Sequence, residues 1–178
     1  MTTTKPGKSG ARARVARTIA AAALVVTGAT HAGTVQPELG PGYGSGYEFG
    51  DTRNGLLLQA GINYFFDNGL GARAVWIGVA DPYGNLGLTR RGMDGFIGAQ
   101  LVDRITFDTH WSALIGAGIG QTDYLLPDDS TESAHETDGI ATVGIQLKPG
   151  KHFQMSRQYS YLTTSRVSAT SLLFQVPF

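Results

Sequence analysis

The chain has 178 residues, with 14 lysines and arginines balanced by 14 acids, 25 glycines and no cysteine. A disulfide framework and a thiolate metal site are thereby excluded, and no excess of positive charge is available to hold a nucleic acid. Glycine lies well above the usual roughly 7% and sits inside apolar alternating runs, which suits strands that curve sharply around a narrow interior.

Residues 1–17 carry Lys5, Lys8, Arg12, Arg14 and Arg17 and no acid. The apolar run Ile19–Val26 follows, then the small, polar stretch Thr27–Ala32. A basic region, a short apolar region and small residues before a cut are the order of a secretory signal, so residues 1–32 are expected to be removed on export. The apolar run is too short for the roughly 20 residues of a spanning helix. Loss of the five leader cations leaves nine basic against 14 acidic residues in 33–178, a net charge of about −5, in a length that suits one domain.

After residue 32 the pattern repeats every two residues in segments of about ten, the signature of a transmembrane β-barrel. Residues 33–41, broken by Pro37 and Pro41, read as a lead-in. The first strand is expected at Tyr43–Phe49, with Glu48 inward. The second, Leu56–Phe66, places Leu56, Leu58, Ile62, Tyr64 and Phe66 on one face and Gln59, Gly61 and Asn63 on the other. Asp67-Asn68-Gly69 is a tight-turn signal. The third strand, Leu70–Ala80, is apolar on both faces, with Arg73 opposite Trp76, and a loop over 81–92 follows.

The fourth strand, Met93–Val102, puts Met93, Ile97 and Leu101 out and Asp94, Gly98 and Gln100 in. Trp111–Thr122 alternates most cleanly, Ile115, Ala117 and Ile119 against Gly116, Gly118 and Gly120. An acidic loop is expected over 127–139, followed by strands at Ile140–Leu147 and His152–Leu162, and a last strand after 163–167 that runs to the end. There Thr170, Leu172, Phe174, Val176 and Phe178 alternate with a more polar set.

The sum is an all-β, up-and-down antiparallel barrel of eight strands. Short connections at 67–69 and 148–151 alternate with long ones at 50–55, 81–92 and 125–139, so turns and termini are expected on the periplasmic side and loops outside. A soluble barrel would also alternate, but with an apolar core and a charged outer face. Here the well-alternating strands oppose one continuous apolar face to Gly, Ser, Thr and Gln, the inverse arrangement. Eight strands leave an interior just wide enough for side chains, so no open pore is expected. Glu48, Arg73 and Asp94 share the inward face by parity and are expected to form a structural ion-pair network, because buried charges need partners. Arg157 faces lipid by parity; it either snorkels to an interface or is turned inward by a bulge.

The hairpin Gly61–Gly69, the run Gly116-Ala117-Gly118-Ile119-Gly120 and the close Tyr159-Ser160-Tyr161-Leu162 to Phe178 together resemble the small outer-membrane barrels of the OmpA-like transmembrane type. The resemblance implies residence in the bacterial outer membrane as a monomer, with outer-membrane lipids and lipopolysaccharide as surroundings. It also implies a C-terminal signal, Phe174, Val176 and Phe178, read by the insertion machinery. A structural or adhesive role through the exposed loops follows as the expectation.

Arg157-Gln158-Tyr159-Ser160-Tyr161 also looks similar to the His-x-Ser segment of lipid A deacylase barrels. The histidine position is Gln158, however, and an amide cannot act as the base that activates a serine. The matching acid position is Ser168. An acyl hydrolase of this fold, or a narrow channel, are the alternatives, and no catalytic residue is assigned. His135, among Asp128, Asp129, Glu132 and Glu136, has carboxylates that suit a hard cation. Their spacing fits no known calcium loop, so no metal or cofactor is expected.

Overall fold

The structure, a computed structural model, describes residues 33–48, 50–81, 88–89, 92–125, 133–150 and 152–178, with the side chains of Glu48 and Ser133 outside the description. The export signal read over 1–32, Phe49, and the acids Asp128, Asp129 and Glu132 lie outside the described residues. The strands are β1 (Gly33–Glu48), β2 (Asp51–Phe66), β3 (Leu70–Val79), β4 (Met93–Thr106), β5 (Trp111–Leu125), β6 (Ser133–Leu147), β7 (Gln154–Leu162) and β8 (Val167–Gln175). Each pairs antiparallel with its neighbours in sequence, and β8 pairs with β1 to close a barrel. Closure leaves no open strand at the edge of the sheet, which a sheet in lipid requires.

The connections divide the barrel into two ends. The β2–β3, β4–β5 and β6–β7 connections mark one, the turn end, with Gly33 and Phe178; the β1–β2, β3–β4, β5–β6 and β7–β8 connections mark the other, the loop end. At the first turn Gly69 has a φ of +90°, and a Cβ there would meet Arg104 O on β4 at 2.5 Å. Only glycine meets both demands. In the 107–110 turn, Asp108 Oδ1 accepts the backbone N–H of His110 at 2.6 Å and of Trp111 at 2.8 Å. These two bonds hold its carboxyl below the usual carboxylate range.

The outer surface carries a broad apolar band: Leu39, Leu58, Ile62, Trp76, Leu101, Ile115, Ile119, Val143, Ile145 and Leu172 are all exposed. Large apolar side chains are stable outward only where the surrounding medium is itself apolar, which is the inverse of a soluble barrel. Aromatic rings gather near the turn end, where Phe66, Phe107, Trp111, Phe153 and Phe178 are exposed and Phe153 stacks with Phe174 at 6.0 Å between centroids.

Several expected boundaries shift. β1 starts ten residues earlier than expected, at Gly33, because its prolines are tolerated where pairing with β8 is thin. That ladder is formed at Glu38 and Leu39 and resumes only at Gly42, and Pro41 falls in the gap. Residues 51–55 belong to β2 rather than to a long loop, paired to β1 as far as Glu48↔Asp51. Residues 133–139 belong to β6 rather than to the expected acidic loop, paired with β5 from Leu125↔Ser133. β4 runs on to Thr106, and a bulge between Met93 and Gly95 inverts its first residues. Met93 is buried and Asp94 exposed, the reverse of simple alternation.

Candidate functional site

The lumen changes character along its length. Read from turn end to loop end, the inward residues of β2 are Asn63, Gly61, Gln59 and Leu57; those of β8 are Gln175, Leu173, Ser171, Ala169 and Val167. β3 switches within two residues, from Arg73 to Val75, Ile77 and Val79. The glycines of β5 leave the space that longer side chains of β4 occupy; a Cβ on Gly120 would meet the Phe96 ring at 2.5 Å.

The polar half centres on Glu38. Its Oε1 pairs with Arg73 Nη2, and both side chains are fully buried. Its Oε2 accepts from Gln175 Nε2 at 2.7 Å, Asn63 Nδ2 at 2.9 Å and Gln158 Nε2 at 3.3 Å. Arg73 Nη1 donates to Gln100 Oε1 at 3.1 Å, Gln100 donates to Thr142 Oγ1 at 2.9 Å, and Thr142 meets Ser160 Oγ at 3.0 Å. One connected network thus ties β1, β2, β3, β4, β6, β7 and β8. Among the described residues five buried polar atoms, including both amide atoms of Gln36 and Arg73 Nε, lack a protein partner. Each such atom costs about 1–3 kcal/mol, offsetting part of what the network contributes.

Arg73 therefore meets a carboxylate that parity from Tyr43 onward did not include. Of the other two residues expected around it, Asp94 is exposed at the bulge of β4. Glu48 is the last residue of β1, opposite Asp51, with its side chain outside the description. Glu38 was missed because Pro37 and Pro41 made its segment look unstructured. The signal was present: Gln36, Glu38, Gly40 and Gly42 alternate with Val35, Pro37, Leu39 and Pro41.

The apolar half is closed by a loop residue. Leu88, from the β3–β4 connection, is fully buried in a cluster with Leu57, Val75, Ile77, Met93, Phe96, Tyr124, Ile140, Leu162 and Val167. Gly44 and Gly46 make room for it: a Cβ on Gly44 would lie 2.9 Å from Leu88 Cδ2, and one on Gly46 would lie 2.0 Å from Leu88 O. Thr89 fixes the segment by accepting Met93 N on its hydroxyl at 3.0 Å. At the turn end Phe65, Val102 and Leu114 form a smaller floor, with the Arg104 guanidinium 4.4 Å over the Phe65 ring.

At the loop end, Asp138 is fully buried and gathers the β7–β8 connection. It accepts Thr122 Oγ1 at 3.0 Å, Thr164 N at 2.7 Å and Ser165 N at 3.1 Å, and Arg166 closes that turn with φ +54°. Above it, His135 Nδ1 lies 2.7 Å from Asp123 Oδ1, both half-exposed on the part of the β5–β6 hairpin that had read as loop.

Ser160 is 1% exposed and spends its hydroxyl on Thr142. Gln158 beside it binds Glu38 and Ser156. Ser168 donates to Ser45 O at 3.2 Å. The described histidines, His110, His135 and His152, are all exposed. At the closing strand, Phe178 N donates to Val35 O at 2.9 Å and Val176 N to Pro37 O at 3.3 Å, while Phe174, Val176 and Phe178 point outward.

No family model matches the sequence, and no curated protein matches it. Solved structures do. Ail, the attachment invasion locus protein of Yersinia pestis, in complex with the heparin analogue sucrose octasulfate, is 19% identical, with TM-score 0.52, covering 82% of this chain and 99% of that one. The N-terminal β-barrel domain of Pseudomonas aeruginosa OprF is 13% identical, with TM-score 0.58, covering 83% and 98%. Neisserial surface protein A is 13% identical, with TM-score 0.57, covering 82% and 95%. At these identities the likeness is one of fold, and the chain has the fold of the small eight-stranded barrels of the bacterial outer membrane.

Proposed function

We propose that this barrel works as a surface-interaction protein whose loop end faces outward and whose lumen conducts nothing. The observation that carries the reading is the loop end itself: β5 and β6 continue as a polar hairpin through 133–139, over a mouth packed shut around Leu88. A sealed lumen leaves the outer surface and the loops as the places where partners can be met. That Ail, a barrel of the same fold, is named for attachment and was solved with a heparin analogue supports the class of role; it does not pass on the ligand, because site chemistry does not follow from fold.

In this reading residues 1–32 direct export and are cleaved. Phe174, Val176 and Phe178 form the signal for the insertion machinery, and the barrel acts as a monomer among outer-membrane lipids and lipopolysaccharide. The hydrolase alternative lacks a base for Ser160 among the described residues.

Replacing 126–132 by a Gly-Ser segment of equal length tests the proposal. The outer-membrane fraction and unfolding midpoint should stay unchanged while adhesion of expressing cells to epithelial monolayers changes. Unchanged adhesion overturns it, as does loss of lipid A acyl chains, read by mass spectrometry, that disappears with Ser160→Ala.

A further inference from the structure

Arg157 stands on the wrong side of the barrel for a charged residue. β7 runs without a bulge, paired with β6 from Met155 to Leu162 and with β8 from Gln154 to Leu162, so nothing turns this side chain inward. It is exposed, in register with Ile145 on one side and Leu172 on the other. The outward residues of 139–147, 155–161 and 168–174 include no acid. Among the described residues no hydrogen bond or ion pair engages the guanidinium.

An arginine at the midplane of a bilayer costs about 2–4 kcal/mol, falling toward the interface. Arg157 is four residues from the turn-end level of Phe153, about 13 Å along the strand at about 3.3 Å per residue, and less along the membrane normal because barrel strands tilt. An extended arginine covers much of that distance. What it reaches is a level marked by the stacked Phe153 and Phe174 and by exposed Lys148 in the β6–β7 turn.

We propose that Arg157, assisted by Lys148, holds the phosphate of an anionic phospholipid in the leaflet that surrounds the turn end. A guanidinium offers two parallel N–H donors to two phosphate oxygens, the strongest pairing open to it in a medium that supplies no other anion. The site rests on the membrane orientation of the proposed function but not on its loop partner.

The test uses the folded full-length mature barrel in neutral detergent, with dioleoyl phosphatidylglycerol and dioleoyl phosphatidylcholine as probes and lipid adducts counted by native mass spectrometry. The wild type should prefer phosphatidylglycerol by about tenfold, the scale of one charge-assisted contact. Arg157→Gln should abolish that preference, Arg157→Lys should retain part of it, and Lys148→Gln should reduce it. Equal preference in wild type and Arg157→Gln overturns the proposal. So does displacement of the lipid by millimolar inorganic phosphate, which would mark a site for a free anion. If Arg157→Gln does not refold, the Arg157→Lys and Lys148→Gln pair decides alone: an unchanged preference in both refutes the site. A failed loop replacement with an intact lipid preference would sink the surface role and leave this site standing.

Discussion

Toward the turns, the inward positions carry Glu38, Asn63, Arg73, Gln100 and Gln158 bound to one another; toward the loops, β2, β3, β4 and β7 carry Leu57, Val75, Ile77, Phe96 and Leu162 packed around Leu88. The two regions fill one narrow tube by opposite means. In the apolar half any well-fitting side chain serves, and the stability lies in volume. In the polar half each group depends on its partner, so single changes there leave charges or amides stranded. Because packing fills one end, the network at the other need not conduct anything to be retained.

The sharpest way to break this contrast is to remove one charge from the pair. Glu38→Ala should cost about 3–5 kcal/mol by leaving the Arg73 guanidinium buried and unpaired, read by guanidinium unfolding in detergent micelles. Replacing both by methionine should cost far less, since no buried charge remains; equal losses for the single and double variants would mean that the pair acts through volume alone. Leu88→Ala should cost about 2–5 kcal/mol through the cavity it leaves, in the same assay. A loss below about 1 kcal/mol would show that the loop residue does not close the mouth.

Asp138→Ala removes the acceptor for Thr164 N and Ser165 N and should cost about 1–3 kcal/mol, with amide exchange quickening first at residues 163–166. The smallest effect belongs to the 107–110 turn. The Asp108 carboxyl titrates below its ordinary range, so its contribution is complete above the unfolded-state value. It is lost as pH falls through the lower, folded value. The Trp111 amide resonance should follow that titration, and Asp108→Asn should flatten it.

Much of the fold was legible because lipid imposes a simple code on strands that cross it. The run Trp111–Thr122 could be read directly: Ile115, Ala117 and Ile119 out, glycines in. The code fails where its cause is absent. Residues 51–55 and 133–139 are strands beyond the apolar band, free to be polar on both faces, and so they read as loops. At Met93–Gly95 a bulge exchanges the two faces, and no period-two count can see an inserted residue. Glu38, the centre of the lumen network, hid between two prolines whose missing N–H groups argue against a strand everywhere except where pairing is incomplete. Leu88 was beyond reach for a different reason, since its role is set by glycines more than 40 residues away.

The absence of cysteine from the chain makes one measurement direct. Thr164→Cys places a thiol at the loop end and Lys148→Cys places one at the turn end, both on exposed residues. Treated with a membrane-impermeant maleimide on intact cells, Thr164→Cys should be labelled, and Lys148→Cys only after the outer membrane is permeabilised. Labelling of Lys148→Cys on intact cells, with Thr164→Cys protected, would contradict an outer-membrane barrel that presents its loop end to the surroundings.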